Sequence, residues 1–159
     1  MSKNVFNISY ELMSNAYPGR GIIFGRTLDN KCNVVAYFIM GRSENSRNRV
    51  FVETEDGICT QAYDPSKMTD PSLIIYHPVR QCGGKLVVTN GDQTDTICDY
   101  LKDGKSYIDA LRTRQFEPDP PNYTSRISGV INEDGSYSLS ILKNFTSDRT
   151  ANKRFFYEY

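Results

Sequence analysis

The sequence predicts an α+β fold of largely antiparallel sheet, and three observations carry that prediction. Short strand-like runs are joined by tight turns, two helical segments stand together in the middle of the chain, and strands resume after them. Tight turns join neighbouring strands antiparallel, whereas a parallel sheet would need a helix at each crossover. Helices grouped between strands therefore read as one covering layer. With 159 residues the chain is long enough for one core and short for two, so a single domain over 1–159 is expected.

The elements follow from local chemistry. Asn4 to Asn15 fits either a short strand or a helical turn. The Pro-Gly pair in Tyr17 to Gly21 turns the chain, and Ile22 to Phe24 begins a strand that returns through Asn33 to Met40. Neither run alternates strictly, which suits strands buried on both faces. Gly41 to Asn48 reads as a polar loop. Strands are expected at Arg49 to Glu53 and Ile58 to Tyr63 around an Asp-Gly turn, with an irregular stretch from Asp64 to Pro71 and a short strand at Leu73 to Tyr76.

After the Gly-Gly turn at Cys82 to Lys85, Leu86 to Thr89 is a further strand. Gln93 to Lys102 reads as a helix because Ile97 and Leu101 lie four apart and Gly104 stops it. Ser106 with Asp109 three positions on is a capping box for a second helix. The Pro-rich run Phe116 to Tyr123 is a loop, and Ile127 to Ile131 with Tyr137 to Leu142 flank an Asp-Gly turn as a hairpin. The chain closes on the strand-like Ala151 to Tyr159, and a strand so near the terminus suggests that the domain continues beyond Tyr159.

Composition narrows the function classes. Nineteen basic and nineteen acidic residues cancel, so no broad field attracts nucleic acid or an anionic membrane. The basic residues are nevertheless clustered: Arg20 to Arg49 holds six of them against Asp29 and Glu44, while Glu53 to Asp70 holds five acids and one Lys. That pattern suits a local site for a small anion, although the same arginines could equally pair with the acidic stretch at the surface. Four widely spaced cysteines and one histidine do not make a zinc cluster, and no metal site is expected. Reduced thiols and a cytoplasmic protein are expected from the adequate core and the absence of a leader-like or membrane-spanning run.

Phosphate-loop, nucleophile-elbow and zinc-protease patterns are absent. Candidate chemistry instead gathers at strand ends. Arg20 lies in a Gly-flanked turn, while Arg42 with Ser43 leaves one strand and Asn48 with Arg49 enters the next. Guanidinium forks suit phosphate, and Ser and Asn add directional hydrogen bonds. Thr89 to Asp95 is a polar strand-to-helix junction, where Asn90, the Gly91 backbone and Thr94 could hold a phosphate or an oxyanion. Glu117 lies in the Pro-rich loop and Arg126 at the next strand, and a Glu in a dry cleft gains basicity.

Four motifs in order then carry a resemblance. Tyr17 to Arg20, the pairs Arg42-Ser43 and Asn48-Arg49, Val87 to Asp95, and Thr124 to Ile127 together resemble the IMP cyclohydrolase family, archaeal type and its bacterial relatives. The resemblance implies a four-layer αββα Ntn-hydrolase-like sandwich without a processed N-terminal nucleophile, since Ser2 would need Met1 removed. It also implies closure of 5-formamidoimidazole-4-carboxamide ribonucleotide to IMP with loss of water. That reaction needs no cofactor, and a purine ribonucleotide is the expected partner, with a symmetric homo-oligomer as the expected assembly.

On that resemblance Arg20, Arg42 and Arg49 recognise phosphate and carboxamide, with Ser43, Asn48 and Thr94 beside them, and Asn90 and Gly91 hold the base or oxyanion. Tyr76 or His77 donates the proton, Glu117 accepts one, and Arg126 orients Glu117. His77, the Asp92-Gln93 pair and the Pro-rich loop depart from the archaeal pattern. The alternative is a family member that binds a ribonucleotide with changed or lost chemistry.

Overall fold

The computed structural model describes residues 7–145 and 151–159. Ser2 and the first residues of the ambiguous opening segment lie outside them. The rest of that segment is a helix, α1 (Ile8–Ser14), begun by the Asn7 side chain accepting from the Tyr10 N–H.

Two antiparallel sheets form the frame. A two-stranded ribbon pairs β1 (Arg20–Arg26) with β2 (Asn33–Ile39). The large sheet has seven strands in chain order: β3 (Arg49–Thr54), β4 (Gly57–Ala62), β5 (Val79–Cys82), β6 (Lys85–Thr89), β7 (Arg126–Ile131), β8 (Tyr137–Asn144) and β9 (Asn152–Glu158). Between Ser43 and β3 stands α2 (Glu44–Arg47), and between β6 and β7 stand α3 (Gln93–Lys102) and α4 (Tyr107–Arg112). The expected mixed α+β class with antiparallel pairing is what the chain adopts.

Alternation along the strands assigns the two faces of the large sheet. Val87, Val130 and Leu142 point one way and pack with Ile97, Ala110 and Leu111 of the helices. In the opposite direction the ribbon covers the sheet: Phe24 meets Tyr137 edge-on and reaches over Gly129. Val87 and Val88, consecutive and on opposite faces, are both fully buried, so the sheet is covered on each side at its centre.

Four expectations are corrected. The ribbon is not buried on both faces, since Ile23 and Val34 stand exposed on its outer side. The polar loop after Met40 contains α2, because Ser43 and Ser46 cap each other reciprocally and so satisfy the first-turn donors. Leu73–Tyr76 is a chain of turns, with Leu73 at φ 63°, and the strand falls on Val79–Cys82 instead. Thr60 replaces the missing ladder: its Oγ1 donates to Ile74 O and Tyr76 O and accepts from the Tyr76 N–H. Where the β4–β5 ladder ends, after two residue pairs, the chain splays out of regular pairing, and the Thr60 N–H, donating to Tyr76 O, keeps Tyr76 tied to β4.

The fourth correction concerns the cysteines. Cys82 and Cys98 form a disulfide, while Cys32 and Cys59 are free. The two are 16 apart in sequence, and the separation hid them. The Gly83-Gly84 hairpin, with both glycines at positive φ, reverses β5 into β6, and α3 then packs back over the strand ends. No helix of the described residues is long and apolar enough to cross a membrane.

Ile97 sits where helices and sheet meet. Ile97→Ala is expected to lower the unfolding free energy by about 2–5 kcal/mol, read as a lower urea midpoint with an unchanged m-value.

Candidate active site

A cleft opens where the ribbon, α2, the splayed segment and the Pro-rich loop converge. Its volume is about 280 Å³, and Arg20, Arg42, Ser43, Arg49, Glu117 and Asp119 are among its lining residues. The expected arginines thus share one cavity.

Arg20 is the first residue of β1, and its side chain crosses to the large sheet. Nη1 donates to Glu117 Oε1 at 2.5 Å and to Asn90 O at 2.7 Å, and Nη2 reaches Glu117 Oε2 at 3.2 Å. Glu117 is 1% exposed. Burial pushes its carboxyl pKa up, the Arg20 charge and hydrogen bond oppose, and the pKa ends above the ordinary glutamate value. Burial likewise works against the Arg20 charge, but Glu117 outweighs it and the guanidinium is held more firmly protonated than usual. A buried, paired carboxylate with raised basicity can accept a proton near neutral pH.

The other arginines divide the positive charge. Arg49 donates weakly to Ile74 O at 3.4 Å and has no carboxylate partner among the described residues. Burial lowers its pKa, and the neighbouring Arg20 adds to that, so an anion beside it would relieve both effects. Arg42 is half exposed, 3.9 Å from Asp119, and lies over the Tyr17 ring. Tyr76, 3% exposed, lies within electrostatic reach of Arg20, Arg49 and Glu117, and burial raises its pKa. Its hydroxyl is 2.8 Å from that of Tyr37.

Several expected residues belong to the framework around the cleft. Asn90 uses its whole amide: Oδ1 accepts from Ile127 N and Gln93 Nε2, while Nδ2 donates to Ser125 O. The Gly91 N–H donates to Thr89 Oγ1, and Thr94 Oγ1 is engaged with Thr89 and Gly91 O. Asn48 clamps the backbone of Asp64 from both sides, and Ser43 caps α2. These residues align the cleft walls through hydrogen bonds within the chain.

His77 and Arg126 stand apart from the positions expected. His77 follows Tyr76 in extended chain and points elsewhere, with Nδ1 3.6 Å from Asp95 in an outer cluster with Arg80 and Asp56. Arg126 is buried, but its Nη1 donates to Asp92 at 2.6 Å and to Gln93 Oε1 at 2.7 Å. Arg20, rather than Arg126, orients Glu117. Asp92 also pairs with Arg114, and although burial raises its pKa, the two arginines outweigh that and hold it low.

Sequence reasoning assigned no site role to Tyr37 or Asp119, and none to Tyr17, Asp92 and Gln93, although these three stand in motifs it singled out. Tyr37 had a signal available: in the ribbon ladder it pairs with Ile22, two residues from Arg20, and so shares the inward face. Asp119 is separated from Arg42 by 77 residues, and no local pattern joins them.

The cleft brings three arginines, Arg20, Arg42 and Arg49, together with the carboxylates of Asp70, Glu117 and Asp119 in an α+β domain. Comparison with known proteins gives the family. Residues 17–154 match the model of IMP cyclohydrolase-like proteins, and the chain belongs to that family. It is 32% identical over 132 residues to the IMP cyclohydrolase of Methanococcus aeolicus, covering 80% of this chain and 64% of that protein. Similarity to a Methanococcus maripaludis IMP cyclohydrolase is 35% over 126 residues, covering 76% and 61%; for the Halobacterium salinarum enzyme it is 29% over 131 residues, covering 80% and 63%. The chain thus spans about three-fifths of the length of the curated relatives it matches.

Gly91 is where these networks press closest. A Cβ there would stand 2.7 Å from Arg126 Nη1 and 2.8 Å from Gln93 Oε1, both fixed by hydrogen bonds. Gly91→Ala is expected to cost about 1–3 kcal/mol, measured by thermal or urea unfolding.

Proposed function

We propose that this chain closes 5-formamidoimidazole-4-carboxamide ribonucleotide to IMP with loss of water. The observation that carries the reading is the Glu117 carboxylate, paired with Arg20 inside an arginine-lined cleft, with the Tyr76 phenol in electrostatic reach. Arg42 and Arg49 supply charge for the 5′-phosphate. Glu117 accepts a proton from the carboxamide nitrogen as that nitrogen attacks the formyl carbon. Tyr76 gives a proton to the formyl oxygen, which departs as water. That oxygen takes its second hydrogen from the protonated Glu117, and the proton lost by the formamide nitrogen restores Tyr76, so the two hydrogens of the water come in net terms from the carboxamide and formamide nitrogens and both residues end as they began. Holding the two groups in contact is the other contribution of the cleft.

The fold supports the same reading. A helix layer, a seven-stranded sheet and a facing ribbon are what three layers of an αββα Ntn-hydrolase-like sandwich would need, if the ribbon is counted as part of the second sheet. The ribbon's exposed Ile23 and Val34 give the outer helical layer of that sandwich an apolar face to cover. We place the activity in the cytoplasm, on a nucleotide as partner and with no cofactor. A ribonucleotide-binding role with altered chemistry is favoured by one observation, the engagement of Arg126 by Asp92 and Gln93.

Ultraviolet absorbance on mixing protein with the formamido ribonucleotide tests the reading. Glu117→Gln should lower kcat by about 10²- to 10⁴-fold. Arg42→Ala should raise KM by about 10- to 100-fold, the worth of one charge-assisted hydrogen bond, with kcat little changed. Nucleotide binding without turnover would leave the binding role alone standing.

Glu117 also sets the acid limb. The base must be ionised, and burial favours its protonated form. Activity should therefore fall with decreasing pH at a midpoint above the ordinary glutamate range of about 4.3. A limb at or below that range would contradict Glu117 as the base.

A further inference from the structure

Tyr37 and Tyr76 come from different layers and meet only through their hydroxyls. Tyr37 is in the middle of β2, its ring edge-on to Phe51 of β3 at a centroid distance of 6.0 Å. Tyr76 is on the splayed segment that Thr60 holds. Their oxygens are 2.8 Å apart, and either phenol could donate on distance alone.

The surroundings choose the donor. Arg20 from β1, Arg49 from β3 and Glu117 from the Pro-rich loop all lie within electrostatic reach of the Tyr76 oxygen. The two guanidinium charges act on both phenols, but at Tyr76 the Arg20 charge is second only to burial, whereas at Tyr37 it ranks behind burial and the Tyr76 contact, so the Tyr76 oxygen is the better acceptor. Tyr37 is desolvated, and burial together with its proximity to Tyr76 holds its hydroxyl protonated far above the usual phenol range. A phenol has one hydrogen to give. When Tyr37 gives its hydrogen to Tyr76, the hydrogen of Tyr76 must turn elsewhere, and of the charged groups within its electrostatic reach only Glu117, which lines the cleft, can accept one.

We propose that Tyr37 is a positioning residue for Tyr76: by donating to the Tyr76 oxygen it aims the Tyr76 proton into the cleft, toward the departing oxygen of the substrate. This rests on the cyclohydrolase reading given above. As Tyr76 releases its proton, the oxygen gains charge and the bond from Tyr37 becomes charge-assisted, and so stronger. Tyr37 therefore acts at the moment of proton transfer without touching the substrate.

Tyr37→Phe keeps the ring against Phe51 and removes only the hydroxyl. In the full chain, kcat is expected to fall about 10- to 100-fold, the worth of a hydrogen bond to a charged group, with KM within about twofold. The alkaline limb should move to higher pH, because Tyr76 loses a donor that stabilises its phenolate. An unchanged kcat and alkaline limb, or a rise in KM alone, would overturn the proposal. Carbon-13 NMR of labelled tyrosine separates this failure from failure of the reading beneath it. If the wild-type chain shows no turnover, the Tyr76 Cζ resonance, assigned with Tyr76→Phe, still reports the bond. Its titration should begin at higher pH in Tyr37→Phe than in the wild type, and an identical or earlier onset would refute the donor role of Tyr37.

Discussion

The buried ion pair between Arg20 and Glu117 holds together parts of the chain that share no backbone ladder. One guanidinium nitrogen reaches residues 70 and 97 positions away, so the ribbon, the β6–α3 junction and the Pro-rich loop meet at a single side chain. Removing one partner of such a pair typically costs about 3–5 kcal/mol, because the other charge is left buried and uncompensated. The pair is a poor source of net stability, since both ions pay desolvation, but it fixes where the loop sits. That placement keeps the carboxylate inside the cleft.

Around this pair the remaining arginines have distinct tasks because carboxylates are distributed unequally among them. Arg126 and Arg114 share Asp92, while Arg42 shares loosely with Asp119 in half-solvated surroundings. Arg49 has burial and a like-charged neighbour and feels Glu117 only at a distance, with no ion-pair partner among the described residues. Positive charge in the cleft is thus least compensated at Arg49, while the Glu117 carboxylate is held by Arg20. Polarity is thereby built in before any ligand arrives.

The large sheet was legible in the sequence wherever pattern is local. Turns at Asp56-Gly57, Gly83-Gly84 and Asp134-Gly135, and the helix over Gln93–Lys102, follow from chemistry within a few residues. Leu73–Tyr76 was misread because its apolar residues suggest a strand, whereas Thr60, 14 to 16 positions earlier, takes its backbone groups. The disulfide was hidden for a similar reason, since a hairpin and a returning helix create the contact. For the candidate site, the arginines and Glu117 that line the cleft could be named from residue type, position and motif. Their pairing could not be, because the choice between Arg20 and Arg126 as the partner of Glu117 depends on Asp92 and Gln93 claiming Arg126 first.

The ribbon has one further consequence. Its two strands bond to each other and to no strand of the large sheet, and they are held down by side chains such as Phe24, Tyr37 and Arg20. A ligand that touched both Arg20 on the ribbon and Arg49 on β3 would act as a staple across this seam. Its binding energy would appear as resistance of the ribbon to lifting, so occupancy and local unfolding would be two readings of one equilibrium.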